Sequence, residues 1–490
     1  MKPNILIFMM DTQGARNMSC YGYRLPTTPN IEGLAREGTL FERHFVTAPW
    51  TLPVHASLFT GRYQSGHGAG AQHEGLEPGL PSLPEVLTRN GYRTASLCNN
   101  GWAVKDDDWN PAVGFEEMIR YSEPEVEVDD EFMHDFSQGN DSNSLKLVGA
   151  AKRWLEENVV EGDGKPFFLF LHNGAPHDPY EPPEPFRSRF LPEGVTYEEA
   201  LDRKGNQVAS TIGTRALTFE EWQWQRALYD GETACLDDRI GRFLGILGDL
   251  GLAGNTMFVI VGDHGDTQGE HVYHSYHSQN AVYDGLAHTP LVVRMPGVFP
   301  RGKRVKELVQ IVDVFPTVLD VLKLEERDAR QSIQGVSLLK SLEGPTRKFA
   351  VIEAQMPIHV LRRAWELDPE CDPRFAFSSL KAARTKRYKY IWQDKGSDML
   401  FDVVNDPDER WNIIQRRPEV ARRMRVELEN FLMSIEQRYY QDMFRPGRIR
   451  KPEVVRRLCA WGLYRPGIIP PWDPENPQEP DGRPGGQDER

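Results

Sequence analysis

The amino-acid sequence predicts an α/β fold in which helices cover both faces of a central sheet. Three short apolar runs are continuous rather than alternating, as expected of strands that are buried on both faces. These runs are ILIFMM at 5–10, FFLFLH at 167–172 and MFVIVG at 257–262. Helical patterns occupy the chain between the runs, and strands that alternate with helices favour a doubly wound sheet.

Four segments beside these runs predict helices. They are TTPNIEGLAREG at 27–38, SLPEVLTRNG at 82–91, SLKLVGAAKRWLEENV at 144–159 and ETACLDDRIGRFLGILGDLG at 232–251. In a doubly wound sheet, ligands bind beyond the carboxyl ends of the strands. Each apolar run is followed by residues able to bind a metal, namely Asp11 and Thr12, then the segment 172–177, then Asp263 and His264. We therefore expect one functional site at this edge of the sheet.

The sequence changes in character after residue 340. The segments 384–393 and 398–413 predict antiparallel strands joined by a turn, and the segment 418–439 predicts a helix. The last fifty residues are rich in proline, glycine and charge, and from about residue 470 this composition predicts an unstructured tail. The predicted organisation is a catalytic α/β domain at 1–340, a smaller α+β domain at 341–440 and a tail at 441–490.

The composition excludes several classes of protein. The chain has 490 residues, of which 39% are hydrophobic, enough for a large core. Its net charge is -14, and no run of lysine or arginine is long enough to predict nucleic-acid binding. The apolar run at 5–10 is too short for a signal peptide or a membrane span, and the five cysteines show no CxxC spacing. We therefore expect a reduced, cytoplasmic protein that binds neither nucleic acid nor membranes.

Asp11, Asp263 and His264 are the candidate metal ligands. Two carboxylates and one imidazole, each just after a strand, suit Mn²⁺, Zn²⁺ or Mg²⁺, whereas Ca²⁺ prefers oxygen ligands alone. Each of these residues taken alone is more typical of a turn or a helix cap. The prediction of a metal site therefore rests on their convergence at one edge of the sheet.

The segment TAPWTLPVHASLFTG at 47–61 predicts a helix that begins near Thr51. One interpretation of Thr51 is an N-cap, with Pro53 tolerated in the first turn. A second interpretation is compatible with the first, because the free N–H groups and the dipole at a helix N-terminus attract an anion such as phosphate or sulfate. A divalent cation beside the hydroxyl would acidify it, as a metal acidifies bound water. Thr51 is therefore a candidate nucleophile and metal ligand.

Nine motifs occur in order along the chain. They are NILIFMMDTQGARNMSCYGY (4–23), TTPNIEGLAREGTLFERHF (27–45), APWTLPVHASLFTGRYQSGHG (48–68), PFFLFLHNGAPHDPYEPP (166–183), YDGETACLDDRIG (229–241), VGDHGDTQGEH (261–271), YDGLAHTPLVVRMPG (283–297), VDVFPTVLDVL (312–322) and RTKRYKYI (384–391). In this order they resemble the sulfatase family of the alkaline phosphatase superfamily. The resemblance implies a central mixed sheet between helices, a small C-terminal sheet domain and hydrolysis of an ester.

Two departures from the family pattern concern the chemistry. Sulfatases carry a cysteine or serine in a C-x-P-x-R pattern, which is oxidised to formylglycine, whereas the aligned segment 51–55 here is TLPVH. A secondary alcohol cannot be oxidised to an aldehyde, so Thr51 cannot become formylglycine. The family usually binds Ca²⁺ with paired aspartates and an Asp-Asn pair, which here read Asp11-Thr12 and Asp263-His264. This exchange favours Mn²⁺ or Zn²⁺ over Ca²⁺ and Mg²⁺.

The resemblance also implies catalytic histidines. His177 in APHDPY matches the family histidine that faces the transferred group or the leaving oxygen. The family has a lysine or histidine near GEHVYHSYHSQN that contacts the anion, and His277 is the first choice, with His274 as the alternative. Together with His271 these residues could instead form a second metal site or a solvated loop.

Three further residues replace family residues near the site. His55 stands in place of the family arginine and is expected to hold the Thr51 loop. Asn99 and Asn100 lie where sulfatases carry a lysine-histidine motif. Their amides could donate to an oxyanion, or they could form a turn before Gly101.

The predicted function is metal-dependent hydrolysis of a phosphate, phosphodiester or phosphonate ester by attack of Thr51. A threonine ester cannot eliminate to an aldehyde, so water must attack the phosphorus or sulfur to release the product. The alternatives are a sulfatase that acts without formylglycine, a transferase on the same scaffold and a catalytically silent binding module. Transferases of this family are usually anchored in membranes, and a silent module would lack metal ligands. The expected partner is a small anionic ester, and a homo-oligomer is compatible with the sequence.

Overall fold

Two separate sheets form the framework of the protein in the computed structural model. The residues that it describes are 2–70, 75–76, 79–102, 114–134, 139–203, 205, 208–209, 217–271, 276, 278–355, 358–368, 370, 378–394 and 396–437. The large sheet is mixed and has the strand order β4-β3-β5-β1-β6-β7-β2-β8. Its strands are β1 (Asn4–Met10), β2 (Thr39–Phe45), β3 (Arg93–Cys98), β4 (Glu117–Ile119), β5 (Phe167–Asn173), β6 (Thr256–Gly262), β7 (Leu291–Arg294) and β8 (Lys303–Gln310).

The second sheet is smaller and fully antiparallel. Its strand order is β12-β11-β10-β9. Its strands are β9 (Ala350–Ala354), β10 (Leu380–Arg384), β11 (Tyr388–Gln393) and β12 (Met399–Asp402). The predicted fold class, a central mixed sheet between helices with a smaller C-terminal α+β part, is confirmed. The domain boundary at residue 340 stays a prediction.

Helices pack on both faces of the large sheet and on one face of the small sheet. They are α1 (Pro29–Glu37), α2 (Thr51–Thr60), α3 (Gln64–His67), α4 (Leu83–Arg89), α5 (Ser144–Leu155), α6 (Tyr197–Asp202), α7 (Phe219–Asp249), α8 (Asp284–Ala287), α9 (Val314–Leu322), α10 (Arg327–Ser332), α11 (Leu338–Ser341), α12 (Ile358–Leu367) and α13 (Pro418–Ser434). Among the described residues, no helix is both long and apolar enough to cross a membrane. The cytoplasmic location stays a prediction.

Strand β1 lies at the centre of the core and is buried along its whole length. Ile5, Ile7 and Met9 point into the apolar cluster on one face of the sheet, and Leu6 and Phe8 point into the cluster on the other face. Side chains of a strand alternate between faces, so a strand covered on both sides must be apolar at every position. This explains why the run at 5–10 is continuous.

The helix predicted at 232–251 is longer than the pattern indicated. Helix α7 begins at Phe219, because Thr218 and Glu221 form a capping box in which each side chain accepts the other's backbone N–H. The helix predicted at 144–159 is α-helical as far as Leu155, and a π-helical turn follows it. Helix α13 ends at Ser434 rather than 439, and the predicted tail at 441–490 lies outside the described residues.

A buried ion cluster joins the small sheet to the large domain. The Lys389 Nζ on β11 lies 2.9 Å from the Asp284 Oδ1 and 3.0 Å from the Glu409 Oε1, and the lysine side chain is fully buried. The Arg384 Nε on β10 lies 2.9 Å from the Asp284 Oδ2. Charges taken out of water are tolerated only when they are paired, so this cluster fixes the two sheets relative to each other.

Replacing Lys389 with methionine should destabilise the protein strongly. The variant keeps the apolar stem but leaves two buried carboxylates without their shared cation, which costs about 3–5 kcal/mol of unfolding free energy. Urea denaturation of both proteins measures this difference. Lys386→Met is the matched control, because Lys386 pairs with Glu307 at the surface, and it should lose less than about 1 kcal/mol. Equal losses in the two variants would contradict the role of the cluster.

Candidate functional site

The candidate metal ligands follow neighbouring strands of the large sheet. Strands β1 and β6 are parallel, with Met10 opposite Gly262, so the next residues, Asp11 and Asp263, lie side by side. Strand β5 pairs with the other edge of β1 and brings His172 to the same end of the sheet. Parallel pairing thus places the carboxyl ends of three strands together, which is the usual position of a ligand site in such sheets.

Asp11, Asp263 and His264 form a compact, buried set of metal-binding groups. One ligand atom from each lies within 4.8 Å of the others. The His264 Nε2 lies 3.7 Å from the Asp11 Oδ1 and 3.7 Å from the Asp263 Oδ2. Ligands held about 2.0–2.2 Å from a tetrahedral ion are roughly 3.4 Å apart, so these separations fit one small divalent cation.

The tautomer of His264 also suits metal binding. Its Nδ1 lies 3.1 Å from the carbonyl oxygen of Gly265. A carbonyl oxygen only accepts, so the Nδ1 donates its proton there, and the Nε2 is the ring atom that faces the two carboxylates and can bind a cation. A backbone acceptor behind the ring is the usual means of orienting a metal-binding histidine.

Backbone groups orient the two carboxylates. The Asp263 Oδ1 accepts the N–H groups of Thr12 at 2.8 Å and of His264 at 2.6 Å. Thr12 has a φ of 64°, which is rare for a β-branched residue, and this conformation turns its N–H towards Asp263. The Tyr229 hydroxyl donates to the Thr12 carbonyl, and the Thr12 hydroxyl donates to the Asp11 Oδ1. Thr12 therefore acts as a support between the two candidate ligands.

His172 belongs to the site, although the sequence analysis gave it no role beyond the start of a polar segment. Its Nε2 lies 3.7 Å from the Asp11 Oδ2 and 3.9 Å from the Asp263 Oδ2, and its side chain is 1% exposed. The signal that could have found it is a histidine at the end of an otherwise apolar strand, FFLFLH. The signal is informative only together with the pairing of β5 and β1, which the sequence alone does not show.

Thr51 lies at the start of α2, but it is not the N-cap. Trp50 occupies the N-cap position, and no side chain caps the helix, so the N-cap interpretation of Thr51 is wrong. The extended backbone of Trp50 makes Thr51 the first helical residue. The residue is buried, with 6% of its surface exposed.

His55 connects Thr51 to the cluster of metal-binding groups. It lies one turn after Thr51 in α2, and its Nδ1 is 2.9 Å from the Thr51 carbonyl oxygen. Its ring packs against His172 with a centroid separation of 4.9 Å. One ligand atom from each of His55, His172 and Asp263 lies within 4.8 Å of the others. The role of holding the Thr51 segment stays a prediction for His55.

The ionisable groups of the site shift one another's pKa values. Burial by itself would raise the pKa of Asp263, but the imidazoles of His264 and His172 outweigh burial and lower it below its ordinary value. Burial also opposes a charge on His172, yet the neighbouring Cys98 and Asp263 raise its pKa well above the ordinary value. Burial, reinforced by His172, lowers the pKa of His55 to about 4, so His55 is neutral at pH 7.

His177 lies after β5 and is only partly buried. Burial disfavours its charge, but Asp11 and Asp178 outweigh burial and raise its pKa to about 9. Its Nδ1 lies 2.7 Å from the Asp178 carbonyl oxygen. His177 is therefore a cation at neutral pH that interacts with the acidic cluster.

The remaining predicted residues have different outcomes. Asn100 donates from its Nδ2 to the Asp11 Oδ2 at 2.9 Å, so its amide supports a candidate metal ligand, while the Asn99 side chain accepts the N–H of Ser122. His271 stacks on a tyrosine ring. His277 and its alternative His274 lie outside the described residues.

Comparison with known proteins shows the family to which the chain belongs. The sequence model of the family described as "Sulfatase" matches residues 3–324, and the one described as "N-sulphoglucosamine sulphohydrolase, C-terminal" matches residues 269–437. The chain is 25% identical to an arylsulfatase of Clostridium perfringens, over 84% of this chain and 90% of that protein. It is 23% identical to an N-acetylglucosamine-6-O-sulfatase of Bacteroides thetaiotaomicron, over 90% and 87% of the two chains.

A solved structure has the same fold. The phosphonate monoester hydrolase of Agrobacterium radiobacter superimposes with a TM-score of 0.69, covering 88% of this chain and 96% of that chain, at 23% identity.

A divalent cation should stabilise the wild-type protein and not Asp263→Asn. Asparagine keeps the Oδ1 acceptor for the two backbone N–H groups but replaces the Oδ2 with an NH₂ group that cannot bind a cation. With Mn²⁺ or Zn²⁺ at a hundredfold excess over its Kd, the wild type should gain about 2.7 kcal/mol of unfolding free energy. Thermal and urea denaturation after treatment with a chelator measure this gain. Asp408→Asn, a surface control, should gain as much as the wild type, and an equal gain in Asp263→Asn would place the bound cation elsewhere.

Proposed function

We propose that this chain, which belongs to the sulfatase family and is an ester hydrolase, cleaves a phosphorus ester by attack of Thr51. The substrate class is a small anionic phosphate, phosphodiester or phosphonate ester. The observation that carries the proposal is the convergence of Asp11, Asp263 and His264 at the sheet edge. Beside them, His55 contacts the backbone of Thr51, a residue that cannot become formylglycine.

The donor set supports a dependence on Mn²⁺ or Zn²⁺. Sulfatase-family enzymes use a divalent metal ion, and an imidazole among the ligands favours these ions over Ca²⁺. Asp11, Asp263 and His264 would hold the ion, with Thr51 as a further ligand, and the bound ion would acidify the threonine hydroxyl and polarise the ester. A phosphate monoester is among the slowest substrates to hydrolyse without a catalyst, so such activation is needed.

The protein's own residues supply the nucleophile, its placement and a proton. The backbone N–H groups of the first turn of α2 lie where an anion is attracted to a helix N-terminus. In the first step the Thr51 hydroxyl loses its proton to solvent and a bond forms between the Thr51 Oγ1 and phosphorus, while the bond from phosphorus to the leaving oxygen breaks. His177, protonated at neutral pH, gives its proton to that oxygen. Water then attacks phosphorus and gives a proton to the now neutral His177, while the bond to the Thr51 Oγ1 breaks and that oxygen takes a proton from solvent.

Hydrolysis of a sulfate ester is the second candidate function. It is favoured by the names of the relatives, which include an arylsulfatase and an N-acetylglucosamine-6-O-sulfatase. Formylglycine releases sulfate by eliminating to an aldehyde, and Thr51 has no such route. A sulfated threonine would need direct attack of water on sulfur, and for this reason we place the phosphorus ester first.

Thr51→Ala should abolish activity without unfolding the protein. The variant lacks the nucleophilic oxygen, so kcat/KM should fall by about 10³-fold or more. Thr51→Ser is the matched control, because it keeps a hydroxyl at the same backbone position, and it should retain activity within about tenfold of the wild type. Steady-state kinetics with metal-loaded protein, and circular dichroism as a check of folding, measure this. An active Thr51→Ala variant would overturn the mechanism.

A panel of aryl esters tests the substrate class. The wild type is assayed with an aryl phosphate monoester, an aryl phosphodiester, an aryl phosphonate monoester and an aryl sulfate, each with Mn²⁺, Zn²⁺ and Ca²⁺. At least one phosphorus ester should have a higher kcat/KM than the sulfate, and Ca²⁺ should support the least activity. Faster turnover of the sulfate than of every phosphorus ester would assign the second candidate function instead.

A further inference from the structure

Three buried polar atoms beside the candidate metal ligands have no hydrogen-bond partner among the described residues. They are the His55 Nε2, the His172 Nε2 and the Asp263 Oδ2. The three residues are 0%, 1% and 0% exposed. Leaving a buried polar atom unpaired is costly, and native proteins rarely do so without a ligand, an ion or a special role. Three such atoms at one place indicate a common ligand.

The three atoms converge on a single position. The ligand atoms of the three residues lie within 4.8 Å of one another, and the His172 Nε2 is 3.9 Å from the Asp263 Oδ2. These distances exceed hydrogen-bonding range but are suitable for two groups on opposite sides of a small ion. The two imidazole rings lie side by side, with a centroid separation of 4.9 Å and an angle of 54° between their planes.

The tautomer of His55 leaves its inner nitrogen available. Its Nδ1 faces the Thr51 carbonyl oxygen at 2.9 Å, and a carbonyl accepts only, so the Nδ1 carries the proton. The Nε2 therefore presents its lone pair towards His172 and Asp263. A histidine whose other nitrogen donates to a backbone carbonyl is the usual arrangement of a metal ligand.

This position differs from the one formed by Asp11, Asp263 and His264. His55 belongs to the first group only and His264 to the second group only, whereas Asp263 belongs to both. A carboxylate can bridge two ions, and paired ions in hydrolases lie about 3.5–4 Å apart. Two nitrogen ligands and one oxygen ligand, with one position open, match a catalytic zinc site.

We propose that His55, His172 and Asp263 bind a second divalent cation, Zn²⁺ or Mn²⁺, next to the first and bridged to it by Asp263. This inference rests on the proposed function, because the first cation is part of that proposal. The second cation would add positive charge on the His55 side of Thr51, where a doubly charged phosphate ester needs it. It would also explain why the imidazoles of His55 and His172 are buried side by side.

Metal content tests the inference on the full chain. The wild type, stripped with a chelator, is reloaded with Zn²⁺, passed through a desalting column and analysed for bound zinc by mass spectrometry. The wild type should hold about two equivalents, and His55→Asn and His172→Asn should each hold about one. His134→Asn, a change at a histidine away from the site, should hold as much as the wild type. Circular dichroism checks that each variant is folded.

The outcomes separate the inference from the proposed function. About one equivalent in the wild type, unchanged in His55→Asn and His172→Asn, would overturn the second site and leave the proposed function intact. No bound zinc in the wild type would overturn both. Two equivalents retained in both histidine variants would assign the second cation to other residues and overturn the inference.

A measurement on the wild type alone tests the second site even if the histidine variants fail to fold. Loaded with Mn²⁺, the wild type should give the electron paramagnetic resonance spectrum of a spin-coupled pair, because a shared carboxylate couples ions about 3.5–4 Å apart. A spectrum of isolated Mn²⁺ at full loading would contradict the bridged pair.

Discussion

The whole site depends on how one carboxylate, that of Asp263, is held at the end of β6. Its Oδ1 accepts two backbone N–H groups, from Thr12 and His264, and its Oδ2 is left facing imidazoles. Both donors belong to the backbone at the ends of β1 and β6. The pairing of these two strands therefore fixes the position of the carboxylate. The cost is the unusual conformation of Thr12, which Tyr229 stabilises by donating to its carbonyl.

Electrostatics explains why this arrangement fits a cation. Two carboxylates, Asp11 and Asp263, are buried within a few ångströms of each other, which is unfavourable unless positive charge lies between or beside them. The surrounding imidazoles compensate only in part, since His55 is neutral at pH 7. A divalent ion would supply the missing positive charge.

Helix α2 carries both His55, which lies beside this cluster, and Thr51, the nucleophile that we propose. Thr51 and His55 are four residues apart, so they lie on the same face of the helix, and the His55 ring contacts the Thr51 carbonyl. The helix is buried on all sides, which restricts any independent movement of its first turn. The contact between His55 and the Thr51 carbonyl therefore helps to fix the first turn of α2.

The sequence by itself determined the sheet, predicted the edge at which the candidate site lies, and determined that Thr51 cannot become formylglycine. Continuous apolar runs, the polar residues directly after them and the inability of a secondary alcohol to form an aldehyde are all local properties. Only the tertiary structure decided that His172 joins Asp11 and Asp263, because the order β5-β1-β6 comes from pairing between distant segments. It also decided that Trp50, not Thr51, precedes the helix, and that His55 turns one nitrogen to the backbone and the other to the carboxylate. These outcomes depend on backbone conformation and on contacts between distant segments. The order of the residues does not reveal either of these directly.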